Sequence, residues 1–197
     1  MSQGRLYFGG SFNPIHFGHL RCAEVVASRA NFDQVIFIPS GTAPHKAGQS
    51  GMATATDRLG MCGMAVEGHS LCSVSDIETQ RGGLSYTIDT IRQLKASGEQ
   101  AVSWLIGADM LQILPSWRSA EQLIAEANLV VMARCGFEID WSGLPAIFRP
   151  LREHVVEAPL IDISATEIRR RCRDGESIDG LTPPAVVRYI REKSLYR

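Results

Sequence analysis

The densest run of chemistry-bearing residues is Phe8-Gly9-Gly10-Ser11-Phe12-Asn13-Pro14-Ile15-His16-Phe17-Gly18-His19. Two glycines directly behind an apolar segment let the backbone approach a phosphate closely, and Pro14 fixes the turn that launches the next helix. His16 and His19 stand three residues apart and so share a helix face, with Gly18 leaving the space beside them open. Such a pair has three uses. It caps a helix or packs in a core. It holds a metal, although His-Glu-x-x-His is absent and no third ligand lies nearby in sequence. Or it binds phosphate, because imidazoles with an ordinary pKa near 6.5 gain a positive charge readily beside an anion. The upstream glycines favour phosphate.

A second candidate is Ile163-Ser164-Ala165-Thr166-Glu167-Ile168-Arg169. Ser164 followed three residues later by Glu167 reads as a capping box, and a helix start with its free N–H groups and dipole favours an anion. Arg169 adds a fixed positive charge. Taken alone, the stretch is equally an ordinary capped helix with a solvated Arg169-Arg170-Arg171 run. Two anion-attracting helix starts in one chain favour the phosphate reading, with Arg169, Ser164 and Thr166 as the candidate phosphate contacts. Glu167 is then expected to turn toward the cap, and Arg170, Arg171 and Arg173 to be surface charges.

These stretches need a scaffold. Arg5 to Phe8, Gln34 to Pro39, Ala101 to Ile106 and Leu129 to Ala133 are short β-rich apolar runs of the kind buried on both faces of a sheet. Leu20 to Ala30, Arg58 to Val66, Thr87 to Ala96 and Ala120 to Glu126 place apolar residues at helical spacing. Strand and helix alternate. The expected fold is therefore α/β: a Rossmann-like doubly wound parallel sheet with helices on both faces, in one domain spanning residues 1–197. A C-terminal helical segment, Ser164 to Arg197, should contain two helices, the second opening at Pro183-Pro184. Such sheets bind ligands beyond the carboxyl ends of their strands. Ser40 to Thr56 reads as a flexible loop there, functional or idle.

Composition narrows the partners. With 197 residues, 45% hydrophobic content and a net charge of −1, the chain is long enough for a sizeable core and carries no overall field for steering onto nucleic acid or an anionic membrane. No apolar run approaches a membrane span. Cys22, Cys62, Cys72, Cys135 and Cys172 are dispersed, odd in number and never Cys-x-x-Cys, which suits reduced thiols in a cytoplasmic protein and disfavours a zinc knuckle. The apolar faces of the last helices could finish the core or build a homo-oligomer.

Gly10-Ser11-Phe12-Asn13-Pro14 followed by His16-Phe17-Gly18-His19 resembles the signature of the nucleotidyltransferase superfamily, whose members share His-x-Gly-His with class I aminoacyl-tRNA synthetases. The resemblance implies in-line attack of a phosphate oxygen on the α-phosphorus of ATP, with pyrophosphate leaving and no covalent enzyme intermediate. Ile163 to Arg169 matches the superfamily's second element. Further segments resemble one family, the bacterial nicotinate mononucleotide adenylyltransferases: Pro44-His45-Lys46, Ser85-Tyr86-Thr87, Ile106-Gly107-Ala108-Asp109, Trp117 and the closing Ser194-Leu195-Tyr196-Arg197. Together they extend over essentially the whole chain.

That resemblance implies adenylylation of nicotinate mononucleotide by ATP, with Mg²⁺ carried on the triphosphate. It implies catalytic roles for His16, His19, Lys46 and Arg169. Gly9, Gly10, Ser11, Phe12, Gly107, Asp109 and Arg134 join these histidines and the Ser164, Thr166, Arg169 group around ATP. His45, Lys46, Ser85, Tyr86, Thr87 and Trp117 would take the mononucleotide, Tyr86 and Thr87 receiving a carboxylate at a helix start and the indole stacking on a pyridine ring. Each has a plainer use: Ser85 as an N-cap, Asp109 as an N-cap, Trp117 as core, Lys46 as a solvated loop charge. The chain departs from the family at Arg134-Cys135-Gly136, where Arg-Arg-Pro-Gly is common, and at Asn13, where aspartate is common, which would remove a negative charge from the cradle. Nicotinamide mononucleotide or phosphopantetheine as acceptor, and a non-catalytic nucleotide-binding protein, remain alternatives.

Overall fold

A computed structural model describes residues 4–43 and 51–197. Its centre is a sheet of six strands, β1 (Arg5–Gly10), β2 (Gln34–Pro39), β3 (Cys72–Val74), β4 (Ser103–Gly107), β5 (Asn128–Arg134) and β6 (Val155–Ala158). The strands lie in the order β3-β2-β1-β4-β5-β6, and every pairing is parallel. Four of these were expected. β3 and β6 were not, because strands of three and four residues at the two edges carry too short an apolar run to be recognised.

The helices are α1 (Phe17–Arg29), α2 (Ala55–Val66), α3 (Ile77–Arg81), α4 (Thr87–Ala96), α5 (Ala108–Leu111), α6 (Ala120–Glu126), α7 (Ala165–Asp174) and α8 (Pro184–Glu192). α1 begins earlier than its apolar spacing indicates, since His16 is its N-cap and Nδ1 of that ring accepts a long hydrogen bond, 3.4 Å, from the His19 backbone N–H. α2 also starts early, capped by Thr54, whose hydroxyl accepts from Asp57 N at 3.1 Å. The Ser40 to Thr56 loop therefore ends one residue before Ala55.

Alternate strand residues feed two cores. Leu6, Phe8, Val35, Phe37 and Leu105 pack on one face with α1, α2 and α8; Tyr7, Ile36, Ile38, Trp104 and Ile106 pack on the other with α4 and α6. This two-sided burial explains why the strands read as continuous apolar runs rather than alternating ones. Val186, Val187 and Ile190 of α8 are buried in the first core, so that apolar face is used within the chain. Among the described residues, no helix is long and apolar enough to cross a membrane. Chain order reverses between β1 and β4, and a crevice opens at their carboxyl ends.

Candidate active site

That crevice is a cleft of about 420 Å³, within the range of small-molecule sites. Gly9, Gly10, Ser11 and Phe12 of the first loop, His19 of α1, Gly107 and Arg134 at the ends of β4 and β5, Asp109 of α5, and Ser85, Tyr86, Thr87 and Trp117 all line it. Residues separated by more than a hundred positions in sequence meet in one concavity.

The glycines answer first to the protein's own packing. A Cβ on Gly9 would stand 2.3 Å from the Trp104 ring, and one on Gly10 would stand 2.8 Å from the Phe12 ring. Phe12 itself takes φ +43 and is 3% exposed, a left-handed conformation unfavourable for a bulky residue. Its ring meets Phe8 and His19 edge-on at 5.4 and 5.1 Å. The loop is thus held in shape by aromatic contacts before any phosphate arrives. Asp109 is not the N-cap of α5: Gly107 takes that position, and the Asp109 carboxylate folds back to where a Gly107 Cβ would be, 2.3 Å away.

His16 and His19 stack with ring centroids 3.7 Å apart. His19 faces the cleft; His16 lies beneath it, 5% exposed. The expectation of a readily charged imidazole fails for His16. Burial first, and the Arg134 guanidinium second, push its pKa down to about 4. The ring is neutral at pH 7, and because Nδ1 accepts from His19 N, its proton sits on Nε2 as a donor.

The C-terminal stretch docks onto this loop. Arg169 Nη1 donates to the Asn13 carbonyl at 2.9 Å, and Nη2 donates to Thr166 Oγ1 at 3.3 Å. The Ile163 carbonyl lies 3.4 Å from where a Gly18 Cβ would be. Ser164 caps α7, its hydroxyl accepting from Glu167 N at 3.1 Å. Glu167, however, does not turn toward the cap. Its carboxylate is taken by Arg170 and Arg171, at 2.8 Å each, which hold it down at a pKa of about 2. Arg170 and Arg171 are accordingly paired along α7 rather than simply solvated.

Two further expectations change. Asn13 is buried, and its Oδ1 accepts from Ala53 N at 3.0 Å and from the Tyr196 hydroxyl at 2.8 Å. It ties the first loop to the α2 approach and to the C-terminus; its neutrality is not a property of the cleft wall. Ser85 is not an N-cap: Tyr86 holds that position, and the buried Ser85 hydroxyl accepts from Gly41 N at 2.9 Å. His45 and Lys46 lie outside the described residues.

Several residues here carry no signal in the sequence. Arg58, 2% exposed, donates to the carbonyls of Ser11 and Gly41 at 2.7 Å each and of Ala53 at 3.2 Å, joining three loops around the cleft. Glu78 is buried in the cleft wall, accepts from Thr90 Oγ1 at 2.7 Å, and has its pKa raised by that burial. Ser40 lines the cleft with a buried hydroxyl that has no hydrogen-bond partner among the described residues. Arg118 sits 4.7 Å from the centre of the Tyr86 ring and 3.3 Å from the Asp89 carboxylate. A buried arginine in an amphipathic helix and an arginine beside a tryptophan carry no distinctive spacing, so contacts alone reveal them.

The arrangement suits an anion that carries an aromatic group: hydrogen-bond donors and cations at the first loop, Tyr86 and Trp117 in the lining, and Glu78 and Asp109 as its carboxylates among the described residues. The cytidylyltransferase-like family model matches residues 7–171. A probable nicotinate-nucleotide adenylyltransferase of Herpetosiphon aurantiacus is 40% identical over 191 residues, covering 95% of this chain and 96% of that protein. One from a Synechococcus species is 39% identical over 195 residues, covering 95% and 92%. In three dimensions the chain is similar to Plasmodium falciparum nicotinic acid mononucleotide adenylyltransferase complexed with NaAD, with a TM-score of 0.78 at 19% identity over 98% of this chain and 97% of that one. At that identity the last comparison speaks to the fold alone.

Proposed function

This chain belongs to the cytidylyltransferase-like family and, within it, to the nicotinate-nucleotide adenylyltransferases, and on that footing we propose that its cleft transfers AMP from MgATP to nicotinate mononucleotide, giving nicotinate adenine dinucleotide and pyrophosphate for NAD synthesis. The single observation that carries the assignment of roles is the docking of Arg169 on the Asn13 carbonyl, which puts the arginine-bearing and histidine-bearing stretches in one unit.

Chemistry follows from position and charge. The mononucleotide phosphate oxygen attacks the α-phosphorus of ATP; the P–O bond to the β-phosphate breaks, and pyrophosphate leaves with the electron pair. His16, neutral with its proton on Nε2, and His19 above it donate to the phosphate oxygens as charge builds there. Arg169, with Ser164 and Thr166, stabilises the departing pyrophosphate. No proton need leave the protein, because a phosphate dianion is already a nucleophile. Magnesium would ride on the substrate, held by phosphate oxygens and water: among the described residues of the cleft, Glu78 is engaged by Thr90 and Asp109 is an exposed carboxylate, suited to ribose hydroxyls.

Acceptor choice rests on the other end. Tyr86 and Thr87 open α4, whose first N–H groups have no partner within the helix and favour a carboxylate. Arg118 beside Tyr86 adds a cation there, and Trp117 offers an apolar face for a pyridine ring. The dispersed thiols suit a cytoplasmic setting. Direct transfer is tested by incubating the protein with radiolabelled ATP. No AMP should remain on the protein without acceptor, and dinucleotide and pyrophosphate should appear in equal amounts with it; a stable AMP-protein adduct would refute in-line transfer.

A further inference from the structure

Away from the cleft, Glu24 of α1, His69 in the turn after α2 and Cys72 at the start of β3 bring a carboxylate, an imidazole and a thiol within 4.8 Å of one another. We propose that these three side chains form a binding site for zinc(II) or a similarly soft divalent cation, with water as the fourth ligand.

Geometry supports this in detail. His69 Nδ1 and Glu24 Oε1 are 3.2 Å apart. Two ligands about 2.0–2.1 Å from a tetrahedral zinc stand about 3.3 Å apart, so this pair already has the required separation. A sulfur about 2.3 Å from the same ion would lie about 3.6 Å from the nitrogen, so closure from the observed spacing asks for a movement of about 1 Å. The backbone holds two ligands together: His69 N bonds to the Val66 carbonyl at 3.0 Å, and Cys72 N to the His69 carbonyl at 3.3 Å. Access is graded as an open metal site needs. Cys72 is buried, the Glu24 side chain is 32% exposed and the His69 side chain 44%, leaving room for entry and for a water ligand.

Ligand chemistry selects the metal. A thiolate with an imidazole and one carboxylate suits zinc and not magnesium, which prefers oxygen. Binding replaces the Cys72 S–H bond with a metal–sulfur bond, the proton passes to solvent, and no oxidation state changes. A half-exposed His–Glu pair alone contributes little and leaves the thiol without a use. The ion would pin α1 to the edge strand β3. Cys72 pairs with Val35, five residues before Ser40 at the cleft, so the site stands roughly 16 Å along the strands from the chemistry at about 3.3 Å per residue.

Cobalt(II) titration of metal-stripped full-length protein tests the site, in a Cys135→Ser background because Cys135 is an exposed thiol. The expected result is a thiolate-to-cobalt charge-transfer band saturating at one ion per chain, displaced by zinc, lost in Cys72→Ser and weakened about tenfold or more in His69→Ala. His69 is exposed, so its variant should fold and retain normal adenylyl transfer. Absence of the band, or a band of undiminished affinity in His69→Ala or Cys72→Ser, overturns the proposal.

Discussion

Arg169 Nη1 lies 2.9 Å from the carbonyl oxygen of Asn13, a hydrogen bond across 156 positions of sequence. The Ile163 carbonyl, 3.4 Å from where a Gly18 Cβ would be, is a second approach between the same two stretches. In the mechanism proposed above, Arg169→Met removes the cation that meets the leaving pyrophosphate. We expect kcat to fall by about 10²- to 10³-fold, as for loss of one transition-state donor, in a pyrophosphate-release assay. A variant that loses stability but keeps kcat would make Arg169 a purely structural tie.

His16→Ala should lower kcat by a similar factor of about 10² to 10³, with a smaller change in KM for ATP. Near-normal turnover would remove the histidine from the mechanism.

The same residue makes stability depend on pH. Its folded pKa of about 4 lies below the ordinary 6.5, so as pH falls the unfolded chain takes up the proton first. The stabilisation is full above pH 6.5, is lost between 6.5 and 4, and changes no further below. At about 1.4 kcal/mol per unit this is of order 3 kcal/mol. Urea unfolding at pH 7 and pH 4.5 should show the decline, and His16→Gln should flatten it.

Trp117→Ala should raise KM for the mononucleotide severalfold and leave KM for ATP nearly unchanged. An effect confined to ATP would place the indole at the adenine end.

Arg118→Gln should narrow the preference for nicotinate over nicotinamide mononucleotide by up to about fivefold, since a half-exposed charge pair is worth at most about 1 kcal/mol. Unchanged discrimination would leave the choice to the start of α4.

Arg58→Met leaves three carbonyls at Ser11, Gly41 and Ala53 without their donor. The expected destabilisation is about 3 kcal/mol or more, read by chemical unfolding, and ATP affinity should fall with it because the first loop loses its brace.

Sequence periodicity located β1, β2, β4 and β5 because each is buried on both faces and therefore apolar throughout, and it matched α4 and α6 to their bounds. It missed β3 and β6 because edge strands of this length need little apolar sequence. The His16–His19 pair is visible from spacing, but the charge state of His16 is not, since it depends on burial and on Arg134 more than a hundred residues away. Asn13 looked like a change in the cradle and proved to be a tie to Ala53 and Tyr196. His69 and Cys72 are neighbours in sequence, but only the fold brings Glu24 of α1 to them. At the site, what sequence conceals is contact between distant elements.

The reaction proposed for this cleft joins an adenylyl group to nicotinate mononucleotide. Its most direct measurement is the initial rate of pyrophosphate release from MgATP with nicotinate mononucleotide, nicotinamide mononucleotide and phosphopantetheine supplied in parallel. The highest kcat/KM is expected for nicotinate mononucleotide, with nicotinate adenine dinucleotide as product. Faster turnover with either other acceptor, or ATP binding without release for any of them, would contradict it.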